Sequence, residues 1–245
     1  MDRNMNITGI SGQAGSGKDT VANYLIEKHN FKKHALADPI KEFGESVFSF
    51  SKDQLWGPSE MRNEVDSRYL VCDSPAWEEA KQKLQTEAPR YVNDIIVRVN
   101  RRPFALQKLF EWFNWLRENH CPLSPRVMLQ TLGTEWGRSV DEDLWVSCLL
   151  MRSAKTIEAG ASGVAVSDVR FRNELQALRD VGGKLLRVLR PSTDQNAKDT
   201  GVTGHKSEAE QKSFSSAEFD FVVVNDGTLD DLYQKVDDIA NQIIS

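Results

Sequence analysis

The sequence has few of the residues that build disulfide frameworks or metal cages. Its three cysteines, Cys72, Cys121 and Cys148, are odd in number, widely spaced and outside any C-x-x-C pair. Its four histidines show no His-x-x-x-His spacing. We therefore expect a protein of a reducing compartment, without disulfides and without a zinc site.

An excess of positive charge is also absent. Lys and Arg total 31 against 36 Asp and Glu, a formal net charge of −5 at pH 7. Proteins that bind duplex nucleic acid are usually basic, so nucleic acid is not an expected partner. No apolar run approaches the roughly 18 residues of a membrane span, and the first residues show no secretory signal. We expect a cytoplasmic protein with no membrane partner.

Strand and helix patterns alternate along much of the chain. Short apolar, β-branched runs predict strands at 6–11, 163–168, 184–191 and 219–226. Helical patterns follow Thr20, occupy 173–183 and follow Thr228, which is a good N-cap residue. Because such alternation is typical of parallel sheets, we predict an α/β fold with a parallel β-sheet flanked by helices.

The middle of the sequence is different, because strand signals are scarce between Phe43 and Pro125. Helices are predicted at 75–88 and 102–119, the second with an apolar stripe that favours core packing over base stacking. We predict a core of residues 1–42 and 121–245 and a helical substrate-binding insertion at 43–120. The polar stretch 191–213 is too long for an ordinary connector and is interpreted as a lid segment or a solvated loop.

The strongest motif is GQAGSGKDT at 12–20, which contains G-x-x-x-x-G-K between a predicted strand and a predicted helix. In that context backbone N–H groups and the helix N-terminus hold phosphate oxygens, and Lys18 reaches the terminal phosphate. Asp19 replaces the usual Ser or Thr, so it holds a metal-bound water or only favours the first helical turn. Thr20 is a further phosphate contact.

Charged residues follow the predicted strand at 163–168. Asp168 ends this strand as the second acidic motif of P-loop NTPases does, or caps the next helix. Arg170 is placed to grip phosphate oxygens or belongs to a solvated helix face.

Three further features lie elsewhere in the sequence. Arg126 and Gln130, four apart, share a helix face if Ser124 caps that helix. Trp145 is either a core residue or a substrate platform. Asp38, before Pro39, either caps a helix or contacts substrate.

Taken together, these motifs resemble the deoxynucleoside monophosphate kinases of tailed bacteriophages, which have the P-loop nucleoside monophosphate kinase fold. The segments that carry the resemblance are GQAGSGKDT (12–20), LADPIK (36–41), RVMLQTLGTE (126–135), Trp145, SDVRFRNE (167–174), Arg190-Pro191, HKSE (205–208) and NDGTL (225–229).

The resemblance implies a kinase that uses ATP and Mg²⁺ to phosphorylate deoxynucleoside monophosphates in the host cytoplasm, with oligomeric state open between monomer and homodimer. It implies that ATP is held by Gly12, Gly15, Ser16, Gly17, Lys18, Asp19, Thr20, Asn225 and Gly227. It implies that the acceptor is held by Asp38, Lys41, Arg62, Arg126, Gln130, Gly133, Thr134, Trp145, Asp168, Arg170 and Glu174. The catalytic residues would be Lys18, Arg126, Asp168 and Arg170, with no metal ligand assigned.

The chemistry favours the same reading, since a monophosphate is already an ionised nucleophile and needs only positioning and positive charge. The main alternative is a kinase of the dephospho-coenzyme A type, which needs a carboxylate base for a hydroxyl acceptor, here Asp38. A switch GTPase or a nucleic-acid motor is less favoured, because DVRF and NDGT replace the guanine-nucleotide motifs and a basic groove is not expected.

Overall fold

The computed structural model describes residues 5–13, 15–167, 169–191 and 213–244. They belong to two compact units. The sheet unit consists of Met1–Ala35 and Leu149–Ser245, and the helical unit is Leu36–Cys148. The predicted functional division, with a monophosphate-binding insertion at 43–120, stays a prediction. Residues 192–212 of the predicted lid lie outside the described residues.

Within the described residues, five parallel strands form one sheet in the order β2-β3-β1-β4-β5. The strands are β1 (Ile7–Ser11), β2 (Phe31–His34), β3 (Gly163–Val166), β4 (Lys184–Leu189) and β5 (Phe221–Val224). The prediction of a parallel α/β fold is confirmed, and β2 is an addition to it. Only Phe31 of β2 is fully buried, so this edge strand lacks the apolar run by which the other strands are recognised.

Helices cover both faces of the sheet. The helices of this part of the chain are α1 (Lys18–His29), most of α9 (Leu144–Glu158), α10 (Arg172–Asp180) and α11 (Leu229–Ile244). Helices α1 and α11 pack with Ile10, Leu186 and Val188 on one face. On the other face α10 lies so close that a Cβ on Gly9 would be 2.6 Å from Leu178 Cδ1. Thr228 accepts a hydrogen bond from the Asp231 N–H, which confirms it as the N-cap of α11.

The helical unit is built from helices of very different length. They are α2 (Asp38–Phe48), α3 (Lys52–Trp56), α4 (Ser59–Asn63), α5 (Pro75–Ile95), α6 (Arg102–Asn119), α7 (Pro125–Thr131), a π-helical turn (Leu132–Trp136) and α8 (Gly137–Val140). Helix α9 (Leu144–Glu158) begins in this unit. The bounds of α6 match the prediction, whereas α5 continues through Pro89 beyond the predicted end at residue 88.

The apolar stripe of α6 is buried, with Leu109, Trp112, Phe113 and Leu116 at most 5 % exposed. They join a cluster that includes Phe43 and Phe48, so the core-packing interpretation is confirmed. None of the described helices is both long enough and apolar enough to cross a bilayer.

Candidate functional site

In the sheet unit, the chain leaves β1 and turns sharply before α1 begins at Lys18. Gly15 and Gly17 have φ values of 77° and 100°, which L side chains rarely adopt. A Cβ on Gly12 would be 2.6 Å from the Val188 carbonyl oxygen, so that position also requires glycine. Within the described residues, no side chain caps α1, and its first N–H groups are therefore available to an anion.

Asn225 holds this loop from the carboxyl end of β5. Its side-chain amide donates to the Ser16 carbonyl oxygen at 2.9 Å, and its own N–H donates to the Leu189 carbonyl at 2.7 Å. A Cβ on Gly17 would be 2.6 Å from the Asn225 amide nitrogen. Asn225 therefore lies directly against the loop. Gly227 follows Asn225 by two residues.

Asp19 faces two lysines at the start of α1. The Lys33 Nζ is 3.3 Å from one carboxylate oxygen, and the Lys18 Nζ is 3.9 Å from the other. Sequence reasoning missed Lys33, because the only signal for its position is the unrecognised strand β2. Asp19 thus orients cations at the loop in addition to lying in the first helical turn.

Arg190 is a second cation that was left out of the predicted site. One guanidinium nitrogen lies 3.4 Å from the Gly15 carbonyl oxygen. The signal was available, since Arg190 directly follows the last residue of β4 and the carboxyl ends of parallel strands share one edge of the sheet. The structure brings Arg190 to the same loop as Lys18.

The segment after β3 is partly used for helix capping. The Glu174 carboxylate accepts hydrogen bonds from the N–H groups of Arg170 at 2.7 Å and Phe171 at 3.0 Å, and so holds the start of α10. The Arg170 side chain is exposed, whereas Arg172 pairs with Glu218 and lies over the Phe214 ring. Asp168 lies outside the described residues.

In the helical unit, two arginines from different helices lie beside each other. Arg62 donates to the carbonyl oxygens of Leu55 at 3.2 Å and Gly57 at 3.0 Å, while Arg126 Nε donates to the side-chain oxygen of Asn63. Burial lowers the pKa of Arg62, and the nearby positive charge of Arg126 lowers it further. Two adjacent guanidinium groups form an arrangement suited to a phosphate group.

Helix α7 carries Arg126 one turn ahead of Gln130, as their spacing predicts. Ser124 accepts a hydrogen bond from the Val127 N–H at 3.4 Å, which confirms the predicted cap. Gln130 is exposed, and Gly133 and Thr134 follow in the π-helical turn. The turn is an addition to the sequence prediction.

Trp145 lies half-buried near this turn. Its indole N–H donates to the Gly133 carbonyl oxygen at 2.8 Å, and its ring centroid is 5.9 Å from that of Trp136. The residue therefore has a main-chain partner as well as ring contacts.

The start of α2 corrects one prediction. Ala37, in helical backbone conformation, is the N-cap residue, and Asp38 is the first residue of the helix instead of its cap. Pro39 consequently occupies the second helical position. Farther along α2, the Lys41 Nζ lies 5.7 Å from the centroid of the exposed Trp56 ring.

No cluster of three or more His, Cys, Asp or Glu side chains capable of holding a metal ion occurs among the described residues. The Asp19 carboxylate is nevertheless a hard oxygen donor beside the loop, which fits Mg²⁺. With Lys33 at 3.3 Å, Asp19 is better placed to hold a metal-bound water than to coordinate directly.

Comparison with known proteins gives a consistent result. The protein is 28% identical over 197 residues to the deoxynucleoside-5'-monophosphate kinase of Escherichia phage T5, with 71% of this chain and 72% of that protein covered. It is 25% identical over 249 residues to the deoxynucleotide monophosphate kinase of Enterobacteria phage T4, with coverage of 95% and 97%. A protein of Acanthamoeba polyphaga mimivirus is 27% identical over 247 residues, with coverage of 95% and 94%.

A solved dephospho-CoA kinase from Campylobacter jejuni covers 98% of this chain and 97% of its own at 11% identity, with a TM-score of 0.39. The family model for deoxynucleotide monophosphate kinase matches residues 6–236, almost the whole chain. The chain therefore belongs to the deoxynucleotide monophosphate kinase family.

Proposed function

We propose that this enzyme transfers the γ-phosphoryl group of ATP directly to the phosphate of a deoxynucleoside monophosphate. The observation that carries the proposal is the glycine-dependent loop between β1 and α1, in a chain of this kinase family. The products are a deoxynucleoside diphosphate and ADP.

The sheet unit binds the donor in this proposal. The open N-terminus of α1 and the N–H groups of the loop hold the ATP phosphates, while Lys18 and Arg190 supply positive charge. The segment that contains Asn225 and Gly227 lies by the adenine. Thr20 would contact a phosphate oxygen, and Asp19 would hold Mg²⁺ through a bound water, so that the ion neutralises charge on the phosphates.

The helical unit binds the acceptor through Arg62 and Arg126. Gln130, Gly133 and Thr134 lie farther along the helix that carries Arg126, and Lys41 and Trp145 complete the proposed acceptor residues. Asp168 and Arg170 stay proposed catalytic residues on the sequence pattern. Glu174 then acts indirectly, because its carboxylate holds the N–H of Arg170.

The transfer needs no general base. An oxygen of the acceptor phosphate, already ionised near pH 7, forms a bond to the γ-phosphorus, and the bond from that phosphorus to the bridging oxygen of ADP breaks. ADP leaves with the electron pair, so no proton has to be removed from the acceptor. The chain's contribution is positioning and charge stabilisation.

A panel of phosphorylation assays tests the proposal. Purified protein with ATP and Mg²⁺ is offered the four common deoxynucleoside monophosphates, their ribose counterparts and dephospho-coenzyme A, and the products are separated by ion-exchange chromatography. We expect ADP and a deoxynucleoside diphosphate in equal amounts. Phosphorylation of dephospho-coenzyme A alone, or ATP hydrolysis without a diphosphate product, would refute it.

Asp38→Asn discriminates further between the two kinase reactions. Without proton abstraction, this variant keeps most of its activity, whereas loss of a base for a hydroxyl acceptor would lower the rate about 10² to 10⁴-fold. Size-exclusion chromatography with light scattering distinguishes a monomer from a homodimer.

A further inference from the structure

Two of the three cysteines lie beside each other in the helical unit. Cys72 is exposed in the turn before α5, and Cys121 is half-buried in the connector after α6. Their thiols form a hydrogen bond with each other, although the two residues are 49 positions apart in the sequence. Neither residue is in a disulfide, and the third cysteine, Cys148, is buried in α9. The structure therefore contains one pair of thiols within reach of each other.

The two connectors that carry these thiols are already attached to each other through main-chain groups. The Leu123 N–H donates to the Tyr69 carbonyl oxygen at 3.1 Å, and the Cys121 thiol donates to the same oxygen at 3.7 Å. Arg117 of α6 holds the turn with Cys72, because its Nε donates to the Cys72 carbonyl oxygen at 2.6 Å. A bond between the two sulfurs would therefore reinforce an attachment that the fold already makes.

The two thiols differ in their access to solvent. Cys72 lines a cavity of about 450 Å³, a volume in the range of small-molecule sites, together with Asp73, Asn114, Arg117 and Glu118. Burial, and after it the neighbouring Cys72, raises the pKa of the Cys121 thiol to about 11, so Cys121 is protonated near pH 7. Since the thiolate is the nucleophile, the exposed Cys72 is the thiol that reacts first with a reagent in solution.

We propose that Cys72 and Cys121 form a redox-modification site, at which a low-molecular-weight disulfide in the cavity oxidises the two thiols to one intramolecular disulfide. The Cys72 thiolate attacks a sulfur of the small disulfide, whose S–S bond breaks, and one small thiol leaves. Cys121 then gives up its proton and attacks the Cys72 sulfur, which releases the second small thiol. The protein loses two electrons and two protons, and the small disulfide gains both.

The second thiol makes this oxidation reversible. An exposed thiol without such a partner can be oxidised further to sulfinic and sulfonic acids, which small thiols do not reduce. A disulfide is instead returned to two thiols by exchange with an excess of a small thiol. In a reducing compartment, disulfides are usually transient and redox-sensing. The site therefore responds to the ratio of small disulfides to small thiols, and this property is independent of the proposed kinase activity.

Mass spectrometry of the whole wild-type chain tests the proposal without a variant. The reduced protein is incubated with oxidised glutathione at about pH 8, where exposed thiols ionise, and the remaining thiols are alkylated in denaturant before peptide mapping. We expect a peptide pair linked through Cys72 and Cys121, an alkylated Cys148, and recovery of both thiols with dithiothreitol. A stable mixed disulfide at Cys72 beside an alkylated Cys121, or no reaction of either thiol, would overturn the proposal.

Serine variants separate the two steps. Cys121→Ser should stop after the first exchange and accumulate glutathione on Cys72, whereas in Cys72→Ser the reaction of Cys121 should be at least about 10-fold slower. Cys148→Ala is the matched control and should form the cross-link at the wild-type rate. Thermal melting checks that each variant is folded. Undiminished reaction of Cys121 in Cys72→Ser, or a cross-link between two copies of the chain on a non-reducing gel, would contradict the proposed site.

The cross-link should also change the stability of the wild-type protein. It closes a loop of about 50 residues, which restricts the unfolded chain, so we expect the Tm of the oxidised protein to rise by about 5–10 °C. The same treatment should leave the Tm of Cys121→Ser within about 2 °C of its untreated value, because a mixed disulfide closes no loop. A lower Tm in the oxidised wild type would show that the native geometry does not accommodate the bond, and would overturn a site built into the fold.

Discussion

The two units of this kinase obtain their rigidity from different side chains. Beneath α1 and α11, the sheet unit packs mainly aliphatic residues such as Ile10, Leu186 and Val188, whose strands are already aligned by a backbone ladder. The helical unit instead surrounds Phe48 with aromatic rings. Helices share no such ladder, so large rings with defined packing angles fix their positions.

The same contrast applies to the proposed phosphate sites. At the proposed donor site the phosphates would meet main-chain N–H groups of a glycine-dependent loop, which follows β1 and is held near its other end by the Asn225 side chain. At the acceptor site, two long side chains, Arg62 and Arg126, are fixed by hydrogen bonds to neighbouring oxygen atoms. The proposal therefore predicts that donor binding depends on backbone geometry and that acceptor binding depends on the packing around the two arginines.

Phe48→Ala should have the largest effect, because it removes the ring at the centre of the aromatic cluster. Phe48 is fully buried, with the rings of Phe50 and Phe113 at 5.6 and 5.8 Å. We expect a loss of about 3–5 kcal/mol in the free energy of unfolding, measured with urea. The control Phe104→Ala removes an exposed ring on α6 and should change it by less than about 0.5 kcal/mol. Equal losses in both variants would show that the buried cluster contributes no more to the free energy of unfolding than an exposed ring.

Lys18→Ala tests the donor site. Loss of this positive charge should lower kcat by about 10² to 10³-fold, or about 3–4 kcal/mol of transition-state stabilisation, while the fold stays intact. Steady-state assays and circular dichroism measure the two effects. Lys28→Ala, at an exposed position of the same helix, is the control and should retain full activity. A normal kcat in Lys18→Ala would disprove the phosphate-loop assignment.

Asp66→Asn tests polar support within the helical unit. Burial would raise the pKa of Asp66, but hydrogen bonds from Arg68 and Gln54 outweigh it and lower the pKa to about 2. Because the folded pKa lies below the unfolded value of about 3.9, the carboxylate stabilises the protein above pH 4, by about 2 kcal/mol. This advantage should disappear between pH 4 and 2.

Urea unfolding at pH 6 and at pH 2.5 measures the difference between wild type and Asp66→Asn. Asp94→Asn, the same substitution at an exposed carboxylate on α5, provides the comparison. A constant difference between wild type and Asp66→Asn at the two pH values would refute the linkage.

Arg126→Lys should have the smallest effect, which appears in one substrate only. Lysine keeps the charge but loses the planar fork that binds two phosphate oxygens, so the KM for the acceptor should rise about 10-fold. The KM for ATP should remain constant. In the control Arg90→Lys, whose side chain is exposed, the KM values for both substrates should remain constant. A change confined to the KM for ATP would indicate that Arg126 binds the donor instead of the acceptor.

Local sequence patterns predicted much of the sheet unit. The loop at 12–20 is a contiguous motif, and β1, β3, β4 and β5 are apolar runs, so neither required knowledge of distant contacts. Strand β2 was not predicted because its two exposed lysines interrupt any apolar run. Its strand conformation is stabilised by backbone pairing with β3, which the local sequence does not show.

The helical unit was less predictable for a related reason. Arg62 and Arg126 are 64 positions apart, and only the packing of α4 against α7 makes them neighbours. Trp145, whose indole N–H donates to the Gly133 carbonyl in the π turn, likewise lies beyond the end of α8. Helical periodicity identified α6 because that information is contained within one segment.

The central position of β1 has a consequence for synthesis on the ribosome. The first strand pairs with β3 and β4, which begin at Gly163 and Lys184. The helical unit is one uninterrupted stretch, Leu36–Cys148, so its chain is complete before either partner strand has been made. Since domains generally fold as their chains emerge, we expect the helical unit to fold first while β1 remains unpaired. Limited proteolysis of nascent chains stalled soon after the helical unit has emerged should find that unit protected and the N-terminal 35 residues cleavable.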